Sequence, residues 1–171
     1  MKYDNLRDIN LELGGGQNKK TGFLNIDILP GPGVDIVCDI SQGLPLKDNS
    51  VRHVYSRHFL EHIPDTVKLM EEIYRVCQPN ALVQIKVPYF KSDGAFKDPT
   101  HVKFFTRETF DYFDRSNKKL PNYNLNCNFR VEKISYLWSR PIMRIVPGKR
   151  LWLKMFWNVA RTLYVELRAI K

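Results

Sequence analysis

Residues 9–16 read INLELGGG, a short segment of strand type that runs directly into three consecutive glycines. Apolar and polar residues alternate up to Leu13, and a period of two is typical of a β-strand. Glycine has no Cβ, so a glycine turn lets the backbone approach a ligand more closely than other residues allow. The segment therefore predicts a first strand followed by a binding loop.

Four further segments have the apolar composition of strands: residues 23–28, 34–38, 51–56 and 81–87. The clearest helix lies between the last two. Asp65 is placed to cap its N-terminus, apolar residues recur at helical spacing up to Cys77, and Pro79-Asn80 is expected to end it. Strands that alternate with helices or loops predict a parallel sheet covered on both faces.

The later part of the chain predicts a different arrangement. A second helix is expected to begin at Thr106 and to carry Phe110 and Phe113 on one face. Residues 130–137 and 163–170 are predicted as two late strands, paired antiparallel at the sheet edge. The expected fold class is therefore α/β, a Rossmann-like doubly wound, mostly parallel sheet with an antiparallel C-terminal strand pair.

Length and composition limit the classes of protein that need considering. The 171 residues suit one domain, and 43% hydrophobic with 26% charged residues is ordinary globular composition. An apolar run long enough to span a membrane is missing, and residues 1–6 lack the apolar region of a secretory signal. Three scattered cysteines predict neither a disulfide framework nor a zinc site, but reduced thiols in the cytoplasm.

The charge is unevenly distributed. Twenty-seven Lys and Arg against eighteen Asp and Glu give +9, and residues 139–171 hold eight of the basic residues and one acid, Glu166. Such an excess attracts nucleic acid, anionic lipid or an acidic substrate. Residues 150–161 mix large apolar and basic side chains. They predict peripheral contact with a membrane surface, a helix packed on the sheet, or base stacking on RNA.

Three acids accompany the first three strands: Glu12 within the first, Asp27 near the end of the second and Asp39 after the third. In a doubly wound sheet, residues at the carboxyl ends of the strands lie at the edge where ligands bind. An acid at the end of the second strand can accept hydrogen bonds from both hydroxyls of a ribose. A nucleoside is thus the expected type of ligand.

The usual phosphate-binding motifs are not met. A dinucleotide loop, G-x-G-x-x-G, would need glycine at position 19, which is Lys19. A P-loop needs glycine directly before Lys-Ser/Thr, but the residue before Lys20-Thr21 is Lys19. These departures favour a ligand with ribose and adenine but without phosphate.

With these residues in place, a family resemblance is evident. Residues 11–16 (LELGGG) resemble the first motif of class I S-adenosylmethionine-dependent methyltransferases, in particular small members of the type 11 group. Five further segments resemble later parts of the same family in the same order: residues 24–28 (LNIDI), 38–40 (CDI), 44–51 (LPLKDNSV), 56–62 (SRHFLEH) and 71–80 (EEIYRVCQPN). The resemblance implies a single methyltransferase-like domain over residues 1–171, with a cofactor-binding core at residues 9–88 and an acceptor side at residues 89–171.

The resemblance also implies S-adenosylmethionine as the cofactor and assigns residues to it. Asp27 is expected to hold the ribose hydroxyls, Asp39 to face the adenine amino group, and Glu12 to order the glycine loop or to meet the amino group through water. The full set of expected cofactor residues is Glu12, Gly14, Gly15, Gly16, Asp27, Ile28, Asp39, Ile40 and Ser56. The first crossover is shorter than in many members of the family, which predicts a helix reduced to about one turn.

Methyl transfer needs few catalytic side chains, because holding the acceptor in line with the methyl group supplies most of the rate. A general base is needed only for an acceptor that must lose a proton, and His58, His62 and His101 are the candidates. No metal is expected, since no third ligand is spaced to join His58 and His62.

The predicted function is that of a methyltransferase acting on a small molecule or a saccharide. The saccharide follows from residues 98–106 (DPTHVKFFT), which resemble small bacterial and archaeal members thought to act on sugars. An RNA methyltransferase and a binding module that has lost turnover are the alternatives.

Overall fold

A seven-stranded sheet organises the protein. The computed structural model describes residues 6–118, 123–141, 145 and 147–171, without the side chain of Arg150. Two sequence predictions fall partly outside the described residues. They concern the secretory signal, for which residues 1–5 are not described, and the basic segment 139–171, for which residues 142–144 and 146 are not described. The strands are β1 (Ile9–Leu13), β2 (Leu24–Asp27), β3 (Ile36–Val37), β4 (Val51–Arg57), β5 (Cys77–Pro88), β6 (Phe129–Trp138) and β7 (Ala160–Ala169).

The strand order is β3-β2-β1-β4-β5-β7-β6. The first five strands are parallel, whereas β7 pairs antiparallel with both β5 and β6. This confirms the predicted mostly parallel sheet with its antiparallel C-terminal pair. The order reverses at β1, so Leu13 has Ile26 of β2 on one side and Ser56 of β4 on the other. The glycines that follow Leu13 therefore emerge between the ends of two neighbouring strands.

Few helices cover this sheet. Within the described part of the chain they are α1 (Thr66–Val76), α2 (Asp93–Phe96) and α3 (Lys149–Met155), with 3-10 turns at Ile40–Gln42, Leu60–His62 and Glu108–Phe113. Asp65 caps α1 as predicted, its carboxylate accepting from the Lys68 amide at 2.9 Å. The predicted C-terminal end is wrong, because Cys77 already begins β5. Asn80, at φ +63°, lies where the register of β5 against β4 shifts, so Pro79 and Asn80 interrupt a strand rather than end a helix.

The second predicted helix is a 3-10 turn that begins later. Phe110 and Phe113 are buried as expected. Thr106 does not cap the turn: its own amide donates to the Thr109 hydroxyl at 3.0 Å. A threonine side chain that binds a nearby backbone amide competes with helical hydrogen bonding, which explains why no regular helix starts there.

Residues 14–23, all of which the structure describes, form turns and no helix between β1 and β2. Two backbone hydrogen bonds close these turns, from Asn18 to Gly15 and from Phe23 to Lys20, each at 3.1 Å. The short first crossover is thus confirmed. The edge of the sheet at β1 and β2 consequently lacks the helix that would otherwise cover it.

α3 presents most of its apolar side chains outward. Leu153 is buried, but Trp152 in the same helix is exposed, as are Phe156 and Trp157 after it. With Phe96 and Phe104 these residues form a surface that we call the aromatic patch. Within it Phe96 stacks on Phe104 with ring centroids 4.6 Å apart, Trp157 lies 5.7 Å from Phe96, and Trp152 lies 5.1 Å from Phe156. Among the side chains of α3 that the structure describes, Leu153 alone is therefore buried.

A charged network ties the segment before β4 to α1. Glu72 accepts from the Leu44 amide at 2.6 Å and from Arg75 at 2.6 and 2.8 Å. Arg75 also donates to the carbonyls of Leu44 and Leu46 and to the Asp48 carboxylate at 2.5 Å. Burial alone would raise the pKa of Glu72, but the hydrogen bonds from Arg75 and Leu44 hold it below the ordinary value.

We expect Arg75→Met to lower the free energy of unfolding by about 2 kcal/mol, because it leaves the Oε2 of Glu72 and two carbonyls without the Arg75 donor. The depressed pKa of Glu72 adds stability that is present above pH 4.5 and is lost as the pH falls through the lower, folded-state pKa. Denaturant melts between pH 3 and pH 7 measure both effects.

The variant should therefore lose less stability on acidification than the wild type. Arg168→Met is the matched control, since its ion pair with Glu132 is half exposed and worth less than about 1 kcal/mol. Equal losses in the two variants would contradict the network.

Candidate functional site

The carboxyl ends of β1 and β2 are joined by hydrogen bonds through the glycine loop. The Gly14 amide donates to the Ile26 carbonyl at 2.9 Å, and the Gly16 amide donates to the Asp27 carboxylate at 3.0 Å. The other oxygen of Asp27 accepts from the Leu29 amide at 3.1 Å. Asp27 therefore lies at the edge predicted for it, and each carboxylate oxygen keeps acceptor capacity for a ligand.

Asn25 holds this loop from below, and the sequence analysis missed it. The side chain is fully buried in β2; its carbonyl oxygen accepts from the Gly15 amide at 3.1 Å. Its amide group donates to the Gly16 and Gly33 carbonyls, both at 2.9 Å. One asparagine thus fixes the glycine loop and the turn after β2 to each other. A polar residue at an inward position of an apolar strand was the signal that could have found it.

Glu12 also lies beneath the loop. Its side chain is buried and accepts from the Lys20 amide at 2.5 Å, so it orders the segment that follows the glycines. Burial lowers the pKa of Lys20, and the negative charge of Glu12 opposes that shift. Of the two roles expected for Glu12, the structural one is directly visible.

The three glycines have different surroundings. A Cβ on Gly14 would lie 2.3 Å from the ring of Phe59, and a Cβ on Gly15 would lie 2.6 Å from the Asn25 carbonyl oxygen. A Cβ on Gly16 would meet nothing within 4 Å. Gly14 and Gly15 are therefore required by packing within the protein. Only the Gly16 end of the loop borders open space, because Phe59 fills the Gly14 end.

The remaining predicted cofactor residues lie along the same edge. The Asp39 carboxylate is exposed; hydrogen bonds from Ser41 lower its pKa and use one of its oxygens. Ile28 is exposed after β2, whereas Ile40 is buried, so that only its backbone remains for a ligand. The Ser56 hydroxyl is fully buried and has no hydrogen-bond partner among the described residues.

His58 follows β4 directly and is strained. Its φ of +53° lies in the left-handed region, which costs a residue other than glycine about 1–2 kcal/mol. Its ring Nδ1 lies 3.2 Å from the carboxylate of Glu61, a side chain that is only 1% exposed. The imidazole itself is half exposed. This geometry directs Nε2 away from Glu61.

His62 and His101, far apart in sequence, lie in contact. Their ring centroids are 4.8 Å apart. The Nδ1 of His62 lies 2.9 Å from the Thr100 hydroxyl, which donates to Asp98 at 2.7 Å. The Nδ1 of His101 lies 3.0 Å from the Ala95 carbonyl. The hydrogen bonds from Thr100 lower the pKa of Asp98.

All three histidines line one cavity of about 800 Å³ beside the ends of β4, β5 and β7. Its wall carries both signs of charge, from Glu61, Asp93 and Asp98 and from Lys97, Arg140 and Arg161. Cavities of this size suit small molecules. Because β4 neighbours β1, the cavity lies next to the glycine loop on the same edge of the sheet.

Residues 14–85 match the methyltransferase domain family. This range contains the glycine loop, Asp27, Asp39 and the 3-10 turn after β4, in the strand order described above. The match covers 72 of the 171 residues, and over that part the chain is similar to methyltransferase domains. This match supports S-adenosylmethionine, the cofactor that the sequence motifs predict.

Individual methyltransferases and related folds extend the comparison. The chain is 36% identical over 77 residues to phosphoethanolamine N-methyltransferase 2 of Caenorhabditis elegans; the match takes up 42% of this chain and spans 17% of that relative's length. A methyltransferase structure from Archaeoglobus fulgidus has a TM-score of 0.70 at 17% identity, covering 97% of this chain and 87% of that one. The [4+2]-cyclase SpnF has a TM-score of 0.63 at 13% identity, covering 96% and 76%. One fold therefore serves different reactions, and the reaction must be argued from the site.

The residues of this chain are compatible with S-adenosylmethionine. Asp27 and Asp39 offer carboxylate oxygens on the edge, Gly16 leaves open space beside them, and the buried Ser56 hydroxyl has no partner among the described residues.

No helix among the described residues is long and apolar enough to cross a membrane.

We expect Gly14→Ala to destabilise the protein more than Gly16→Ala. Both glycines have positive φ, at +67° and +52°, so alanine costs about 1–2 kcal/mol at either position. Only Gly14→Ala adds the collision with Phe59, worth about 1–3 kcal/mol more. Chemical denaturation measures the difference.

The control is the double variant Gly14→Ala/Phe59→Ala, compared with Phe59→Ala alone. It should recover the collision energy and leave the backbone strain. Equal costs for Gly14→Ala and Gly16→Ala would contradict the packing of Phe59 on the loop.

Proposed function

We propose that the protein transfers the methyl group of S-adenosylmethionine to a small polar acceptor bound in the cavity beside β4. The observation that carries this proposal is the shared edge. Ser56 at the end of β4 is directly opposite Leu13, and His58 and Glu61, a few residues on, line the cavity. A cofactor on the glycine loop and an acceptor in the cavity would therefore be neighbours.

The cofactor side is assigned to the open end of the loop. S-adenosylmethionine supplies a methyl group already activated by its positive sulfur. Asp27 accepts hydrogen bonds from the ribose hydroxyls with the oxygen capacity left by Gly16 and Leu29. Asp39 receives the adenine amino group, and Ser56 is a buried hydroxyl that a ligand between β1 and β4 could satisfy.

His58 is assigned as the general base for an acceptor that must lose a proton. Its Nδ1–H donates to Glu61, which fixes the tautomer and leaves Nε2 to take the proton and pass it to solvent. The left-handed backbone at His58 supports this role, since strain of this kind concentrates at functional sites. The Nδ1 atoms of His62 and His101 bind Thr100 and the Ala95 carbonyl, so these two histidines are not assigned as the general base.

The acceptor is assigned by charge and size. Basic and acidic side chains line the same small cavity, and this combination suits a zwitterionic or polyhydroxylated molecule. The name of the curated relative, a phosphoethanolamine N-methyltransferase, supports a zwitterion that carries a phosphate and an amine. A saccharide hydroxyl is the other member of this class.

Removal of the Asp27 carboxylate should weaken cofactor binding. We expect Asp27→Ala to reduce the affinity for S-adenosylmethionine at least tenfold, since a hydrogen bond to a charged group contributes about 1.5–3 kcal/mol. Isothermal titration calorimetry measures it.

Glu132→Ala, on the exposed edge strand β6, is the control and should leave the affinity unchanged. Absence of binding heat and of a thermal shift in the wild type would refute the methyltransferase proposal. Binding without transfer to a panel of phosphorylated amines and saccharides would favour the non-catalytic module, and salt-sensitive retention of RNA with methyl transfer to it would favour an RNA acceptor.

We also propose that the aromatic patch contacts an anionic membrane surface. Trp152, Phe156 and Trp157 are 40%, 47% and 54% exposed, and Lys97 and Lys154 lie within the same segments. Exposed aromatic rings beside lysines suit the interface between lipid headgroups and acyl chains. The three cysteines are unpaired, which supports action at a cytoplasmic face.

The double variant Trp152→Ser/Trp157→Ser should lose co-sedimentation with phosphatidylserine-containing liposomes, because it removes the inserted rings. Val37→Ser, at the opposite end of the sheet and 56% exposed, should bind as the wild type does. Retained binding in the double variant, or binding only to RNA, would refute membrane contact.

A further inference from the structure

We propose that Glu61, His62 and His101 form a binding site for one divalent transition-metal ion, such as Zn²⁺. One potential ligand atom of each residue lies within 4.8 Å of those of the other two. The sequence alone predicts no metal, because no third ligand is spaced to join His58 and His62. The fold supplies that ligand from the loop after β5.

Glu61 provides the strongest support. Its side chain is 1% exposed, it lines the cavity, and its Oε2 has no hydrogen-bond partner among the described residues. A buried carboxylate oxygen without a partner is costly, and His58 contacts only the other oxygen, Oε1. A bound cation would remove this cost.

Both histidines are arranged as metal ligands usually are. The Ala95 carbonyl can only accept, so the Nδ1 of His101 carries the proton; its Nε2 lies 3.9 Å from the Asp98 carboxylate, too far for a hydrogen bond, and keeps its lone pair. The Thr100 hydroxyl gives its proton to Asp98, so it accepts from Nδ1 of His62, whose Nε2 is likewise free. Metal-binding histidines characteristically donate their other ring N–H to a carbonyl, a carboxylate or a similar partner.

The backbone holds the two halves of the site together. The Glu61 carbonyl accepts from the amides of Val102 and Lys103 at 2.9 and 3.2 Å. These bonds join the 3-10 turn Leu60–His62 to the loop that carries His101. Ligands about 2.1 Å from a tetrahedral Zn²⁺ are about 3.4 Å apart, so binding requires ligand atoms that now lie up to 4.8 Å apart to approach one another by at most about 1.4 Å.

Two imidazoles and one carboxylate suit Zn²⁺, Mn²⁺ or Fe²⁺ better than Mg²⁺ or Ca²⁺. Three protein ligands leave a coordination position open, and here it faces the cavity. A metal there would lower the pKa of a hydroxyl bound to it. This use in methyl transfer rests on the proposed function, whereas metal binding itself does not.

The test measures metal binding by the full chain, stripped of metal and without cofactor, in competition with a chromogenic chelator of Zn²⁺. We expect one ion per chain. His62→Ala, His101→Ala and the isosteric Glu61→Gln should each weaken binding by more than the tenfold to hundredfold typical of an outer partner. Thr100→Val, which removes an outer partner, should fall within about that range.

His53→Gln is the matched control. His53 lies in β4, outside the proposed metal site, and its ring contacts Gln84 of β5, so the substitution should leave Zn²⁺ affinity unchanged. Circular dichroism checks that each variant is folded. Less than one bound ion in the wild type, or equal affinity in the wild type and the His62→Ala/His101→Ala double variant, overturns the site. Binding of S-adenosylmethionine is also measured in the presence of a chelator. Cofactor binding that persists without metal shows that a failed metal site leaves the proposed function standing.

Discussion

The site depends on the hydrogen bonds by which Asn25 holds the glycine loop. A loop of three glycines has high conformational entropy when unfolded, so it needs fixed partners to keep one conformation. Asn25 supplies two of these from a single buried side chain, which also binds the Gly33 carbonyl, and Asp27 adds one more from the end of the same strand. Side chains of β2 therefore bind the loop that follows β1, and residues 14–23 between the two strands form no crossover helix.

Strand order and loop length decide where the chemistry can occur. Because β1 and β4 are neighbours, the cofactor edge and the histidine-lined cavity share one boundary, and Phe59 lies on it against Gly14. The loop after β5 then closes the cavity from the far side through the Glu61 carbonyl. The proposed acceptor and cofactor sides are thus joined by the short segment that follows β4.

Much of this architecture could be predicted from local sequence signals. Period-two strands, the cap at Asp65 and the acids after β2 and β3 all act over a few residues, and the parallel order follows from alternation. Boundaries failed for two reasons. Cys77 begins a strand because the tertiary pairing of β5 with β4 overrides local preference, whereas Thr106 does not cap because its amide makes a local hydrogen bond to the Thr109 hydroxyl. The meeting of Glu61 with His101 required two loops to pack, which no spacing rule describes.

The most direct test of the account is an NMR titration of ¹⁵N-labelled protein with S-adenosylmethionine. The account predicts saturable shifts of the amides at residues 14–16, 27–29, 39–42 and 56–61, with the amides of β6 unaffected. Shifts confined to the basic C-terminal residues, or no saturable shift at the glycine loop, would contradict the claim that the edge held by Asn25 and Asp27 binds the cofactor.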